Sequence, residues 1–221
     1  MSGAASRGSG PPVTRASGTP VTRASGTPVT RASGATVWWV RHGPTHRKEM
    51  VGWSDVPADL SDTQALARLD AFLPQAPVVS SDLARARATA DAIQGARPRL
   101  ADVRDLREIN FGAWELRSAQ DLYEDDPDTP SAYWNAPSDV PPPGGASFTD
   151  LAGRVNSAID ALVGSGDLIA VAHFGVILTQ LHRARGGSVK EVMAQRVENL
   201  SVSALRFDGG AWHEDLANHR P

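Results

Sequence analysis

No cysteine occurs anywhere in the 221 residues, which excludes disulfides, thiolate catalysis and every Cys-based metal site. No apolar run approaches the roughly 20 residues needed to span a bilayer, so no membrane partner is expected. Residues 1–35 lack Asp, Glu, Leu, Ile and all aromatic residues. They carry one octapeptide three times, Pro12–Thr19, Pro20–Thr27 and Pro28–Ala35. A segment this poor in large apolar side chains cannot offset its ordering entropy, and it is expected to be a disordered soluble linker. It offers no apolar stretch for a secretory signal. Its Arg- and Ser-rich composition resembles an organellar transit peptide, but prolines at octad spacing spoil an amphipathic helix. The expectation is a cytoplasmic protein. Four of the 22 basic residues lie in this tail, so residues 36–221 hold 18 against 25 acidic residues, a net of −7. A body of that sign argues against nucleic acid as a partner.

What is present is one domain's worth of alternating strand and helix signals over residues 36–221. Thr36–Arg41 is β-branched and aromatic on both faces, as in a central strand covered by helices on each side. Ser61–Leu73 has leucines at helical spacing, with Ser61 or Asp62 as the cap. Pro77–Ser80 reads as a short strand. Ser81 or Asp82 then caps a helix that runs to about Gly95. Residues 116–147 are rich in Pro and Asp and read as an insertion rather than a core element. Phe148–Val163 is a long helix, Asp167–His173 a doubly apolar strand and Gly175–Arg185 a helix. Leu200–Phe207 is a strand that pairs with Ala211–His213 through the Asp208-Gly209-Gly210 turn. This alternation predicts a three-layer α/β/α domain with a mostly parallel central sheet, whose ligands sit beyond the carboxyl ends of the strands.

Four motifs occur in order: "VRHGPT" at 40–45, "SSDLARARATA" at 80–90, "LREINFGAWE" at 106–115 and "VAHFGV" at 171–176. Together they resemble the histidine phosphatase superfamily, the phosphoglycerate mutase-like enzymes, over essentially residues 36–207. The resemblance implies that His42 is a nucleophile that forms a phosphohistidine. It implies that Arg41, Arg85 and His173 bind the phosphoryl group and that Glu108 is the acid/base, with no metal and no cofactor. The chemistry agrees. Cationic neighbours keep an imidazole lone pair free at neutral pH, and forked guanidinium donors match phosphoryl oxygens. A single carboxyl can protonate a leaving alkoxide and then deprotonate water.

Thr45, Gly43 and Phe174 are secondary candidates. Thr45 bonds a phosphate oxygen or caps the following turn, Gly43 lets the backbone turn close to a phosphate, and Phe174 adjoins His173. Gly175 opens a helix whose N-terminal amides add positive potential. Arg87 competes with Arg85 for its role, but the two lie about 200° apart on a helix, and the family's "SDLxR" pattern selects Arg85. Asp105 and Glu115 are expected to be surface or salt-bridge carboxylates. His46, His182, His213 and His219 match no motif.

A mutase must hold a substrate carrying a carboxylate and two phosphates, which demands additional cations above the phosphate pocket. Residues 116–153 hold only Arg117 against seven acidic residues, and Arg47, Lys48 and Glu49 stand where the mutases have an Asn. The expected activity is therefore hydrolysis of a small-molecule phosphomonoester. Mutase-type transfer and a catalytically silent phosphoryl-binding protein are the alternatives. The insertion's length, Trp134 and the run Pro141–Gly145 resemble the alpha-ribazole phosphatase branch. Three positions depart from that pattern, Ala146, Leu116 and Asp62-Thr63, and none of them touches the motif residues. Oligomeric state is not legible in the sequence.

Overall fold

The computed structural model describes Met1, residues 34–164 and residues 166–221. The expected linker lies outside the described residues apart from Met1, Gly34 and Ala35. Five strands, β1 (Ala35–Arg41), β2 (Val78–Ser80), β3 (Leu168–Ala172), β4 (Val202–Asp208) and β5 (Ala211–His219), form one sheet in the order β2-β3-β1-β4-β5. β1 and β2 each pair with β3 in parallel. β4 pairs antiparallel with β1, and β5 antiparallel with β4. The sheet is thus mixed, not mostly parallel. The reason for β5 is local: Gly209 and Gly210 both have positive φ, and the tight turn they permit joins only antiparallel neighbours.

Helices cover both faces. On one side α1 (Thr63–Phe72) and α2 (Ala84–Ile93) bury Leu66, Leu69, Ala86, Ala90 and Ile93 against Val40, Val78, Ile169 and Val171. On the other, α5 (Phe148–Leu162) and α6 (Phe174–Arg185) bury Leu151, Val155, Ile159, Ile177 and Leu181 against Val37, Trp39 and Ala170. This is why β1 is apolar at successive positions: Trp39 and Val40 face opposite cores.

Three details differ from the sequence-based expectation. The amide that opens α2 is capped by neither Ser81 nor Asp82. The Oδ1 atom of Asp55 accepts from the Ala84 amide at 2.6 Å, while Ser81 Oγ accepts only from Leu83, before the helix. The insertion contains two short helices, α3 (Ala119–Asp125) and α4 (Asp128–Asn135), whose Leu122 and Tyr133 build a small core with Trp114, just before the insertion. A short helix α7 (Val189–Met193) follows α6, with Ser188 and Glu191 forming a capping box.

Candidate active site

The sheet register assembles the site. Arg41 lies directly opposite Ala172 across the parallel β1–β3 pair, so the residues that follow, His42 and His173, leave the sheet side by side. Their ring centroids are 5.0 Å apart. The His42 amide donates to the Ala172 carbonyl at 3.0 Å, which extends the ladder one residue past the strand.

His42 is buried, and its Nδ1 lies 2.7 Å from the Gly43 carbonyl oxygen. A carbonyl can only accept, so Nδ1 carries the proton and Nε2 is the unprotonated nitrogen. Nε2 accepts a hydrogen bond from Arg85 Nε at 3.3 Å. Burial first, then the Arg85 and Arg41 charges, lower the His42 pKa to about 3 against the opposing Gly43 hydrogen bond. The imidazole is therefore neutral throughout the physiological range. His173 is fully buried, and both of its ring nitrogens lack a hydrogen-bond partner among the described residues. Burial, His42 and the nearby arginines hold it neutral as well.

Arg85 is almost wholly buried, yet its guanidinium bonds backbone: Nη1 donates to the Ser54 carbonyl at 2.9 Å and Nη2 to the Gly52 carbonyl at 2.6 Å. Arg41 donates through Nη1 to the Val197 carbonyl at 2.6 Å, and its guanidinium stands 5.4 Å from the centroid of the Phe174 ring. Arg87 points elsewhere and pairs with Asp102 at 3.3 Å.

Glu108 is buried beside them. Its Oε1 accepts from the Ile109 amide at 2.8 Å and its Oε2 from the Gly175 amide at 3.0 Å. Burial raises its pKa, opposed by those two amides and by Arg85 and Arg41. Two neighbours hold its backbone: Trp53 Nε1 donates to the Glu108 carbonyl at 2.7 Å, and Arg154 Nη2 donates to it at 3.2 Å.

The Gly43 amide donates to Thr89 Oγ1 at 3.0 Å, and a Cβ at this position would stand 2.6 Å from Leu60 Cδ2. The glycine thus leaves room for the close approach of the 58–60 segment. The Gly175 amide, expected to add positive potential for a ligand, is taken up by Glu108 instead. Thr45 and Phe174 do line the cleft. It measures about 200 Å³ and also includes Arg41, His42, Arg85, Glu108, Arg47, Glu49 and Phe111.

Sequence reasoning missed Glu115. It is no surface group: Oε1 accepts from the amides of Trp53 (2.7 Å) and Phe111 (3.1 Å). Oε2 accepts from the amides of Gly52 (3.1 Å) and Ser54 (3.0 Å) and from the Ser54 hydroxyl (2.6 Å). Burial alone would raise its pKa, but these donors outweigh burial and lower it. The loop pinned in this way is the one whose carbonyls grip Arg85. The Glu within "GAWE" was visible, but nothing in the sequence tied it to residues some sixty positions earlier. The unassigned histidines lie elsewhere, and His46, for example, bonds Asp59 at the surface.

The sequence pattern of the histidine phosphatase superfamily (branch 1) matches residues 37–220. A bifunctional protein of Mycobacterium tuberculosis is 32% identical over 193 residues, covering 78% of this chain and 50% of that protein. The chain thus spans about half the length of this relative. The adenosylcobalamin/alpha-ribazole phosphatase of Salmonella typhimurium is 28% identical, covering 76% of this chain and 89% of that protein. The solved structure of Bacillus stearothermophilus YhfR superposes with a TM-score of 0.75 at 26% identity, covering 83% of this chain and 96% of the other. Phosphoglycerate mutase-like proteins also stand among the neighbours.

Proposed function

The chain belongs to the histidine phosphatase superfamily, and on that premise we propose that it hydrolyses a small-molecule phosphomonoester through a phosphohistidine on His42. The observation that carries the reading is the unprotonated Nε2 of a neutral His42, fixed by the Nδ1–Gly43 bond and accepting from Arg85 in a buried pocket. The Nε2 lone pair attacks phosphorus and the P–O ester bond breaks. Arg41, Arg85 and the one N–H of neutral His173 hold the phosphoryl oxygens as charge spreads over them. The leaving alkoxide takes the proton of Glu108, whose raised pKa favours the acid form. In the second half the Glu108 carboxylate removes a proton from water, the oxygen attacks phosphorus and the N–P bond breaks. Inorganic phosphate leaves and His42 is restored.

Transfer to a second anionic substrate finds less support. The single basic residue of the insertion, Arg117, is paired with Asp125. Turnover of p-nitrophenyl phosphate by the wild type, and its loss in His42→Ala, tests the proposal. Equal rates in the two proteins would end it.

A further inference from the structure

Resting on the phosphatase reading, we propose that the substrate's leaving group is an apolar alcohol with a flat, ring-sized body, seated in a second cleft behind Glu108. This cleft, about 90 Å³, shares walls with the phosphate cleft. Glu108, Phe111 and Phe174 line both. Its remaining walls include Tyr133, Trp134, Leu178 and Met193, drawn from the insertion, α6 and α7.

Three observations commit the cleft to this occupant. The first is topological. A carboxyl that protonates the leaving oxygen must stand beside it, so the alcohol extends from phosphorus on the Glu108 side, where this cleft lies. The second is charge. The two ionisable groups among its lining residues are the Glu108 carboxyl and the Tyr133 phenol. Burial and the Glu108 carboxylate push the latter up to about 12. Neither offers a cation to a carboxylate or a second phosphate, and a sugar acid would lose its water there without compensation. The third is shape. Tyr133 packs edge-on against both Trp114 (centroids 5.4 Å) and Trp134 (4.8 Å), so part of the wall is set by interlocked rings, which suits a planar guest.

The test compares ethyl phosphate with 2-phenylethyl phosphate, whose leaving alcohols have similar acidity, and includes 3-phosphoglycerate. The wild type should favour the phenylethyl ester in kcat/KM by at least about tenfold, the scale on which an apolar pocket discriminates even small increments of apolar size. Trp134→Ala removes a half-exposed ring at the mouth, and Met193→Ala a second, independent wall. Each should shrink the phenylethyl-to-ethyl ratio severalfold while the melting temperature stays near that of the wild type. Equal rates on all three esters would overturn the subsite and leave the phosphatase standing, as would a preference for 3-phosphoglycerate. No turnover of any ester, p-nitrophenyl phosphate included, would overturn the phosphatase reading and the subsite with it.

Discussion

Replacing Glu115 by Gln keeps the shape of the side chain and removes its charge, and it should damage a site that Glu115 never touches. The carboxylate accepts hydrogen bonds on both oxygens from the 52–54 loop and from Phe111. An amide has one acceptor oxygen. Whichever way it turns, either the Trp53 and Phe111 amides or the three donors of Gly52 and Ser54 face an NH2 group. At about 1.5–3 kcal/mol for each of at least two lost bonds to a charged group, roughly halved by water at this half-buried position, the variant should be about 2–3 kcal/mol less stable. The loop holds the Arg85 fork through the Gly52 and Ser54 carbonyls, so the guanidinium loses its fixed position. A shift of about 1 Å in a positioning group costs up to about a hundredfold, and we expect at least tenfold in kcat/KM. The assay is p-nitrophenyl phosphate turnover well below the variant's Tm, with vanadate affinity as a second readout of the pocket. A variant that melts lower yet retains wild-type kcat/KM and vanadate affinity would refute the coupling between Glu115 and Arg85.

With an alkyl phosphate, kcat/KM should fall as pH rises through the raised pKa of Glu108. The fall should be much shallower with p-nitrophenyl phosphate, whose leaving group needs little proton assistance; parallel profiles would contradict the acid role. Gly175→Ala places a methyl group against the Glu108 carboxyl and should impair alkyl ester hydrolysis far more than p-nitrophenyl phosphate hydrolysis, measured side by side. Unfolding free energy should respond to His42. The folded state holds it neutral down to about pH 3, while the unfolded chain takes a proton near pH 6.5, so the unfolded state binds more protons between those values and stability drops as pH is lowered from about 6.5 towards 3. This contributes about 1.4 kcal/mol per pH unit. Denaturant titrations of His42→Gln between pH 4 and 6 should show a slope smaller by up to that amount, and an unchanged slope would contradict the shift.

The fold class and the strand ends were legible because apolar runs on both faces mark buried strands, and because parallel neighbours deliver their carboxyl ends to one edge. The hairpin between β4 and β5 was legible from its glycine turn, but the direction of β4 against β1 was not. The first half of β4 is buried like β1 and β3, and nothing in Val202–Leu205 says that it runs against them. The cap of α2 was misread because its acceptor, Asp55, lies in a loop far back in the chain and leaves no local pattern beside Leu83. The insertion was undervalued because Leu122 and Tyr133 are spread along a Pro- and Asp-rich segment and join Trp114, which precedes it, in a core only once two short helices bring them together. Glu115 was misjudged for a related reason. A carboxylate that binds backbone amides needs no recognisable side-chain partner, so its role is written in geometry alone.

The grip on Arg85 has one more consequence. Its nitrogens are held by carbonyl dipoles and by a neutral imidazole, which fix its place without cancelling its charge. A cation arranged in this way attracts any tetrahedral anion, whether an ester or the orthophosphate left after hydrolysis. On the proposed reaction the same pocket would hold its own product, so added inorganic phosphate should slow p-nitrophenyl phosphate turnover competitively; turnover indifferent to phosphate would contradict this.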